Sequence, residues 1–261
     1  MMLLVDVGNT HTVYGLRDDE QVIARWRQAT DGRRTADEHR VFLRGCFSES
    51  GYDFDGLTSA CLASVVPEAT EPLCDALRNL VGAESLLVVG PGVRSGVPVR
   101  VDNPREVGAD RIVNAAGAFD LCRSGLIVVD FGTATTFDVV AEDGAYLGGA
   151  IAPGLQSSHD ALVRRASKLR RVDVAAPSRA TGRTTEEAMQ SGLYFGYAGL
   201  VSGLVKRLRA EHKAVRTVVA TGGLARAMAA VCPEVDEVIE DLTLHGLWCI
   251  WHRQNHREGR S

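Results

Sequence analysis

The chain has 261 residues, of which 45% are hydrophobic and 24% charged, and its formal net charge is −4. This is an ordinary globular composition, so we expect a substantial core in one large domain or two smaller ones. The slight negative charge argues against binding to nucleic acid or to a membrane surface. Residues 1–6 lack the basic segment of a secretory leader, and no apolar run approaches the roughly 18 residues that span a bilayer, so we expect a cytoplasmic protein.

The first part of the chain alternates apolar runs of strand length with helical patterns. Strands are predicted at 3–7, 12–16, 22–27, 61–66 and 86–89, and helices at 36–47, 68–80 and 109–121. Thr35 stands just before the first of these helices and Glu38 three residues later, which is the capping-box arrangement.

The same order of elements then starts again. Strands are predicted at 126–129, 136–140, 145–150 and 215–220, and helices at 158–168, 185–211, 224–231 and from 242 onwards. The restart suggests a duplicated βββαβαβα unit, with one half at 1–121 and the other at 122–261. Chance likeness of two short turns is the alternative, and the repeated order of the flanking strands weighs against it.

Each half contains one turn in which a buried strand ends in an aspartate, followed by a glycine and hydroxyl residues. The first copy is Asp6-Val-Gly8-Asn-Thr10 and the second is Asp130-Phe-Gly132-Thr. Glycine lets the backbone approach a phosphate closely, the N–H groups of such turns attract anions, and the aspartate can hold a cation. One such turn is as easily a tight hairpin whose aspartate bonds its own backbone. Two in matching halves predict a polyphosphate site.

A third acidic segment opens the predicted helix at 109–121, where Asp110 and Arg111 follow Gly108. The simple interpretation is a first-turn aspartate that favours the helix dipole, beside a solvated arginine. The functional interpretation is a base that accepts a hydroxyl proton beside a clamp for an acceptor's carboxylate. With Asp6 and Asp130 near the same nucleotide, each pair of carboxylates would repel by on the order of several kcal/mol. We therefore expect Mg²⁺ with ATP and a second cation held by the protein.

The six cysteines are scattered and form no Cys-x-x-Cys pair, so we expect free, mostly buried thiols. His245 and His252 are seven residues apart and can share a helix face. We expect no carboxylate or cysteine to complete a ligand set with them, and so no structural zinc site.

Several segments together resemble one known family, the type III pantothenate kinases of the acetate kinase, sugar kinase, Hsp70 and actin superfamily. The matching segments are Asp6–Thr10, Asn103–Arg111, Asp130–Thr136, Gly148–Gly154, Gly182–Thr185 with Met189–Gly192, and Thr221–Gly223. The first turn is common to the superfamily, whereas the Gly-Ala-Asp-Arg block and the Gly148–Gly154 segment are close to family-specific.

The resemblance implies an α/β fold of duplicated ribonuclease H-like (actin-like ATPase) halves, each a mixed five-stranded sheet with flanking helices. It also implies phosphorylation of pantothenate by ATP to 4′-phosphopantothenate, the first step of coenzyme A biosynthesis. Asp110 would be the general base, Asp130 would hold K⁺ or NH₄⁺, and Asp6 would bind Mg²⁺ indirectly. By position, the ATP contacts would be Asp6, Val7, Gly8, Asn9, Thr10, His11, Thr12, Val13 and Thr133, and the pantothenate contacts would be Val101, Gly108, Ala109, Asp110, Arg111 and Thr185.

The family forms homodimers in which the equivalent of Thr185 reaches the neighbouring site, and Thr184 competes with it for that role. Val101 stands where the family usually has an aromatic residue. Two other functions share this fold: a non-catalytic transcriptional accessory factor, and a phosphatase or another sugar or acid kinase. The joint retention of Asp6, Asp110, Arg111 and Asp130 favours the pantothenate kinase, because a binding protein needs no base beside an anion clamp.

Overall fold

A computed structural model describes residues 1–19 and 21–255 of the protein. The chain divides into two compact units. The first comprises residues 1–98, 102–120 and the segment from 242 onwards, and the second comprises residues 99–101 and 121–241. Among the described residues, no helix is long and apolar enough to cross a membrane.

The first unit is a mixed five-stranded sheet with four helices. Its elements are β1 (Met2–Val7), β2 (His11–Asp18), β3 (Gln21–Ala29), α1 (Ala36–Ser50), β4 (Ser59–Ser64), α2 (Pro67–Val81), β5 (Leu86–Val89), α3 (Ala109–Cys122) and α7 (Leu242–Asn255). The strand order is β3-β2-β1-β4-β5. β1 pairs antiparallel with β2 and parallel with β4. β1 is therefore the central strand, with antiparallel strands on one side of it and parallel strands on the other.

The second unit repeats this plan. Its elements are β6 (Gly125–Phe131), β7 (Ala134–Val140), β8 (Tyr146–Pro153), α4 (Leu155–Arg165), α5 (Thr185–Glu211), β9 (Val215–Thr221), α6 (Ala225–Ala229) and β10 (Glu237–Val238). The strand order, β10-β9-β6-β7-β8, is that of the first sheet when β6 is matched to β1, β7 to β2 and so on. β6 likewise pairs antiparallel with β7 and parallel with β9. The predicted duplication is therefore confirmed at the level of strand order and direction.

The central strands of both sheets are buried over most of their length. Met2–Val5 of β1 and Leu126–Val129 of β6 are buried, as expected for strands covered on both faces of an α/β sheet. The polar exceptions are Asp6 and Asp130, each the second-last residue of its strand. Both aspartates therefore lie next to the carboxyl end of the central strand of their sheet.

Helix α7 corrects the predicted division of the chain, because we expected everything after residue 121 to belong to the second half. α7 instead packs on β1 and β4 in the first unit. Two helical glycines explain the docking: a Cβ on Gly117 of α3 would stand 2.8 Å from the Leu242 oxygen, and one on Gly246 of α7 would collide with the Val113 oxygen. The two helices thus cross in backbone contact, which side chains at these positions would prevent.

The remaining differences are local. Thr35 and Glu38 form the predicted capping box, with each side chain accepting the other residue's backbone N–H. The prediction missed β10, which has only two residues and too short a pattern to detect. All six cysteines are free, and four of them are buried, as expected.

Candidate active site

The first of the two Asp-Gly turns, Asp6–Thr10, is a hairpin that connects β1 to β2. Gly8 N–H donates to the His11 oxygen at 3.1 Å, which leaves Asn9 and Thr10 exposed at the tip. A Cβ on Gly8 would stand 3.1 Å from the same His11 oxygen, closer than an ordinary van der Waals contact. The turn therefore keeps its backbone open at the tip, where an approaching anion would meet it.

Thr30, at the end of β3, braces this turn and was missed from the sequence. Its Oγ1 donates to the Gly8 oxygen at 2.7 Å and lies 3.0 Å from the Thr12 hydroxyl, and its N–H donates to the Thr10 oxygen at 3.0 Å. Thr12 is buried. Its hydroxyl therefore contacts Thr30 within the protein. The resemblance had led us to expect that Thr12 contacts ATP directly. No local motif marks Thr30, because its role depends on the pairing of β2 with β3.

The Gly108–Arg111 segment lies at the same edge of the first sheet as this turn. β1 and β4 run parallel with Val7 opposite Ser64, and Val65, the residue that follows β4, donates its N–H to the Val7 oxygen at 3.1 Å. A Cβ on Gly108 would lie 3.7 Å from the Val65 side chain. Asp110 is therefore brought to the carboxyl ends of β1 and β4, next to the Asp6 turn.

Asp110 occupies the first turn of α3 and is held by its own helix start. Its Oδ1 accepts the Arg111 N–H at 2.8 Å, and a Cβ on Gly108 would stand only 2.5 Å from that oxygen. Burial raises the pKa of Asp110 above its ordinary value, although the amide and guanidinium of Arg111 pull it back down. The carboxylate is consequently a better proton acceptor than a solvated aspartate, which is the tuning a general base needs.

The second turn connects β6 to β7 and is tighter, with Gly132 N–H donating to the Ala134 oxygen at 3.0 Å. Asp130 stands opposite Thr136 on one side and Thr221 on the other. After Thr221 the backbone turns through Gly222 at a φ of 89°. A Cβ there would lie 2.5 Å from Asp130 Oδ1 and 2.7 Å from the Phe131 oxygen. A carboxylate and a carbonyl oxygen therefore converge on a space that only glycine leaves open.

The start of α4 is hydrogen-bonded to the backbone of the second turn. Gly154 N–H donates to the Thr133 oxygen at 3.1 Å, and the Ser157 hydroxyl donates to the same oxygen at 2.6 Å. A Cβ on Gly154 would fall within 2.6 Å of the oxygens of both Gly132 and Thr133. The backbone of the exposed Thr133 is thereby fixed, and the positive end of α4 faces the turn.

Val101 belongs to a short segment that joins the edge of the second sheet. Val99 bridges Tyr146, and Arg100 N–H donates to the Tyr146 oxygen at 2.9 Å. A Cβ on Gly148, whose φ is 105°, would lie 3.6 Å from Val101 Cγ1. Val101 therefore lies against the Gly148–Gly154 segment.

The hydrogen bonds at the start of α5 distinguish between Thr184 and Thr185. Thr184 is the N-cap, and its Oγ1 accepts the Glu187 N–H at 3.1 Å. Thr185 is exposed and lines a cavity of about 400 Å³ with apolar residues that include Leu162 and Met189. Neither Asp130 nor Thr133 is among the residues that line that cavity.

We expected no carboxylate or cysteine to join His245 and His252, but a carboxylate and a thiol lie beside His245, and His252 is not part of that group. Asp120 Oδ2 lies 3.0 Å from His245 Nε2, and Cys249 Sγ lies 3.4 Å from the same nitrogen. Cys249 was visible from the sequence, one helical turn after His245. Asp120 was not, because it lies 125 residues earlier and only the crossing of α3 and α7 brings it there.

Comparison with known proteins shows the family. The family model for type III pantothenate kinase matches residues 2–207. A type III pantothenate kinase of Geobacter sulfurreducens is 47% identical over 97% of this chain and 99% of its own length. One of Syntrophotalea carbinolica is 48% identical with the same coverage of both chains. The chain belongs to the type III pantothenate kinase family.

Solved structures agree on the fold. A protein of Campylobacter jejuni described as a Baf family transcriptional activator superimposes with a TM-score of 0.60 at 18% identity, covering 97% of this chain and 99% of that one. A protein of Sinorhizobium meliloti described as a 2-dehydro-3-deoxygalactonokinase gives a TM-score of 0.55 at 12% identity over 97% and 96%. At such identities the likeness concerns fold alone, so the predicted actin-like architecture is confirmed and the transcriptional alternative gains no support.

The family match contains every residue that we predicted to bind ATP, pantothenate or a cation, since all of them lie between residues 6 and 185. Gly222 lies beyond the segment that the family model matches. It lies within the part of the chain that aligns with the Geobacter relative, which is 97% of the chain.

Proposed function

We propose that the protein transfers the terminal phosphoryl group of ATP to the primary hydroxyl of pantothenate and releases ADP and 4′-phosphopantothenate. The observation that carries the proposal is the position of Asp110 in a chain of this family: a partly buried carboxylate with a raised pKa, beside the Asp6 turn. A transcriptional accessory factor would have no use for such a group.

Asp110 is proposed to accept the proton of the attacking hydroxyl. The hydroxyl oxygen forms a bond to the γ-phosphorus, the bond from that phosphorus to the β,γ-bridging oxygen breaks, and the proton passes to an Asp110 oxygen as the bond forms. Because Arg111 N–H holds Oδ1, the other carboxylate oxygen is the one that would face the substrate. The Arg111 guanidinium suits the carboxylate of pantothenate, which it can bind through two hydrogen bonds.

The two turns are proposed to hold the nucleotide. Thr30 fixes the backbone of the first turn from Gly8 to Thr12, so its N–H groups need little reordering when phosphates bind. Ser157 and Gly154 fix the backbone of Thr133 in the same way. Preorganised donors of this kind are the main contribution a protein makes to phosphoryl transfer.

Two cations are proposed to assist. Asp130 Oδ1 and the Phe131 oxygen converge beside Gly222, and such a set of oxygen atoms is what K⁺ or NH₄⁺ takes. Asp6, at the end of β1, is proposed to bind Mg²⁺ through water. When bound, the cations neutralise phosphate charge that the acidic side chains would otherwise repel.

Homodimerisation is proposed for the surface that carries Thr185. Thr185 is exposed, Thr184 is engaged as the helix cap, and an apolar cavity adjoins Thr185. These features support Thr185, and not Thr184, as the residue that reaches the pantothenate of a neighbouring subunit.

The test is ADP release measured with ATP, Mg²⁺ and pantothenate, with and without K⁺, on wild-type protein and Asp110→Asn. We expect pantothenate-dependent turnover that requires K⁺. Asp110→Asn should lower kcat by about 10²- to 10⁴-fold, the usual contribution of a general base, while the KM for ATP changes far less.

The matched control is Asp102→Asn, which neutralises an exposed carboxylate eight residues earlier and should leave kcat within about twofold of wild type. Absence of pantothenate-dependent ADP release in the wild-type protein under both salt conditions would refute the kinase activity. An unchanged kcat in Asp110→Asn would remove Asp110 as the base and leave the activity itself standing.

A further inference from the structure

Three side chains of different chemistry meet where α7 crosses the end of α3. They are a carboxylate, an imidazole and a thiol, from Asp120, His245 and Cys249. One ligand atom from each lies within 4.8 Å of the other two, and all three residues belong to the first unit. None of them is part of the phosphate turns or of the Asp110 segment.

The spacing suits a small tetrahedral ion. Zinc bonds of about 2.0–2.1 Å to nitrogen or oxygen and about 2.3 Å to sulfur give ligand-to-ligand distances of about 3.4–3.6 Å at tetrahedral angles. The distances here are 3.0 Å from Asp120 Oδ2 to His245 Nε2 and 3.4 Å from Cys249 Sγ to the same nitrogen. The ligands need to separate by only a few tenths of an ångström to accept the ion.

The surroundings allow an ion to enter and to be neutralised. The side chains of Asp120 and His245 retain 23% and 21% of their exposure, whereas Cys249 is buried, so solvent reaches the site from the Asp120–His245 side. Arg17 and Arg253 act on Cys249 electrostatically. A divalent ion bound by one carboxylate and one thiolate forms a group with no net charge, so the occupied site carries no excess positive charge next to the two arginines.

We propose that Asp120, His245 and Cys249 bind one Zn²⁺, with water as the fourth ligand, and that this ion pins α7 to the carboxyl-terminal end of α3. Nitrogen, sulfur and oxygen donors together favour zinc over Mg²⁺ or Ca²⁺, which take oxygen ligands. The site differs in chemistry from the proposed cation sites at Asp6 and Asp130.

Two other roles for the same cluster are less well supported. A reactive or redox thiol requires an accessible thiolate, but burial and the Asp120 carboxylate raise the pKa of Cys249 to about 12. A simple pair of His245 with Asp120 accounts for their contact, yet it gives no reason for the Cys249 sulfur to face the same imidazole nitrogen.

The proposed ion acts on stability and does not depend on the proposed kinase activity. Asp120 is ten residues along α3 from Asp110, which corresponds to about 15 Å at the rise of an α-helix. Zinc should therefore raise the melting temperature of the protein and leave pantothenate-dependent turnover unchanged.

The test uses tag-free, full-length protein stripped of metal with a chelator and titrated with Co²⁺, which replaces zinc and is visible by absorption. We expect one equivalent to bind with tetrahedral d–d bands and a near-ultraviolet thiolate charge-transfer band, and Zn²⁺ to displace it. Cys249→Ser should lose the charge-transfer band and the Zn²⁺-induced rise in melting temperature. Asp120→Asn should weaken Zn²⁺ binding by about tenfold or more.

The matched control is Cys46→Ser, which removes a partly exposed thiol of α1 and should keep the band. If Cys249→Ser does not fold, the wild-type titration and Asp120→Asn still decide the matter. Co²⁺ bound without a thiolate band, a band that persists in Cys249→Ser, or a melting temperature of the wild-type protein that does not respond to Zn²⁺ would each overturn the proposal.

Discussion

Replacing Gly222 by alanine tests whether the Asp130 carboxylate and the turn after β9 form one cation cradle. The added methyl group would stand 2.5 Å from Asp130 Oδ1 and 2.7 Å from the Phe131 oxygen, whereas an ordinary contact begins near 3.4 Å. The Phe131 oxygen belongs to the backbone at the end of β6, where Phe131 pairs with Thr135 of β7, whereas the Asp130 carboxylate is a side-chain group that can rotate. It must shift by about 0.9 Å.

The size of the effect follows from two costs. A non-glycine residue at the φ of 89° costs about 1–2 kcal/mol, and overpacking adds about 1–3 kcal/mol. The free energy of unfolding should therefore fall by about 2–5 kcal/mol, which a protein of ordinary stability survives. Because the carboxylate is displaced, the concentration of K⁺ needed for half-maximal turnover should rise by about tenfold or more, equivalent to about 1.4 kcal/mol.

Denaturant unfolding and ADP release at increasing K⁺ concentration measure these two effects. Gly223→Ala is the matched control for stability, since no heavy atom lies within 4 Å of its added Cβ and its φ is not in the left-handed region. It should change the free energy of unfolding by no more than about 0.5 kcal/mol. If Gly222→Ala were as stable as Gly223→Ala and kept the wild-type K⁺ response, the described convergence at Gly222 would be refuted.

Two further predictions concern Val101 and His39. Val101→Phe should lower the KM for pantothenate by about two- to tenfold. An aromatic side chain adds about 0.5–1.5 kcal/mol to the binding free energy, and Gly148 leaves room beside residue 101. An unchanged KM in steady-state kinetics would show that Val101 does not contact pantothenate. His39 is buried, neither of its ring nitrogens has a hydrogen-bond partner among the described residues, and burial lowers its pKa below the ordinary 6.5. The unfolded chain therefore binds a proton that the folded protein refuses, and stability is lost as the pH falls below about 6.5. His39→Leu should raise the free energy of unfolding by about 1 kcal/mol at pH 7.5 and by more at pH 5.5. If urea unfolding curves show the same increase at both pH values, His39 is not a buried, neutral imidazole in the folded protein.

Local patterns predicted the elements of this fold well where one segment carries its own signal. The capping box at Thr35 and Glu38 is where the sequence indicates it, and the bounds of α5 match the predicted 185–211. The position of α7 could not be predicted in this way. Its docking depends on Gly117 and Gly246, and a glycine in a helix signals close packing without naming the partner.

The candidate site shows the same limit. Asp6, Asp110 and Asp130 could be identified because each is an acidic residue at the predicted end of a strand or start of a helix. The residues that fix their surroundings, such as Thr30 and Ser157, act through backbone oxygens of other segments. Such partners are set by strand pairing and helix position, which a linear pattern does not contain.

The docking of α7 also has a consequence for the order in which the chain acquires structure during synthesis. The second unit is continuous from residue 121 to 241 apart from three residues, whereas the first unit needs α7, which the ribosome produces after all of the second unit. Until α7 has been synthesised, the face of β1 that α7 covers in the folded protein therefore leaves apolar surface exposed in the amino-terminal sheet. The half made first is thus the half completed last, and it is the one for which chaperone binding to the nascent chain would matter most.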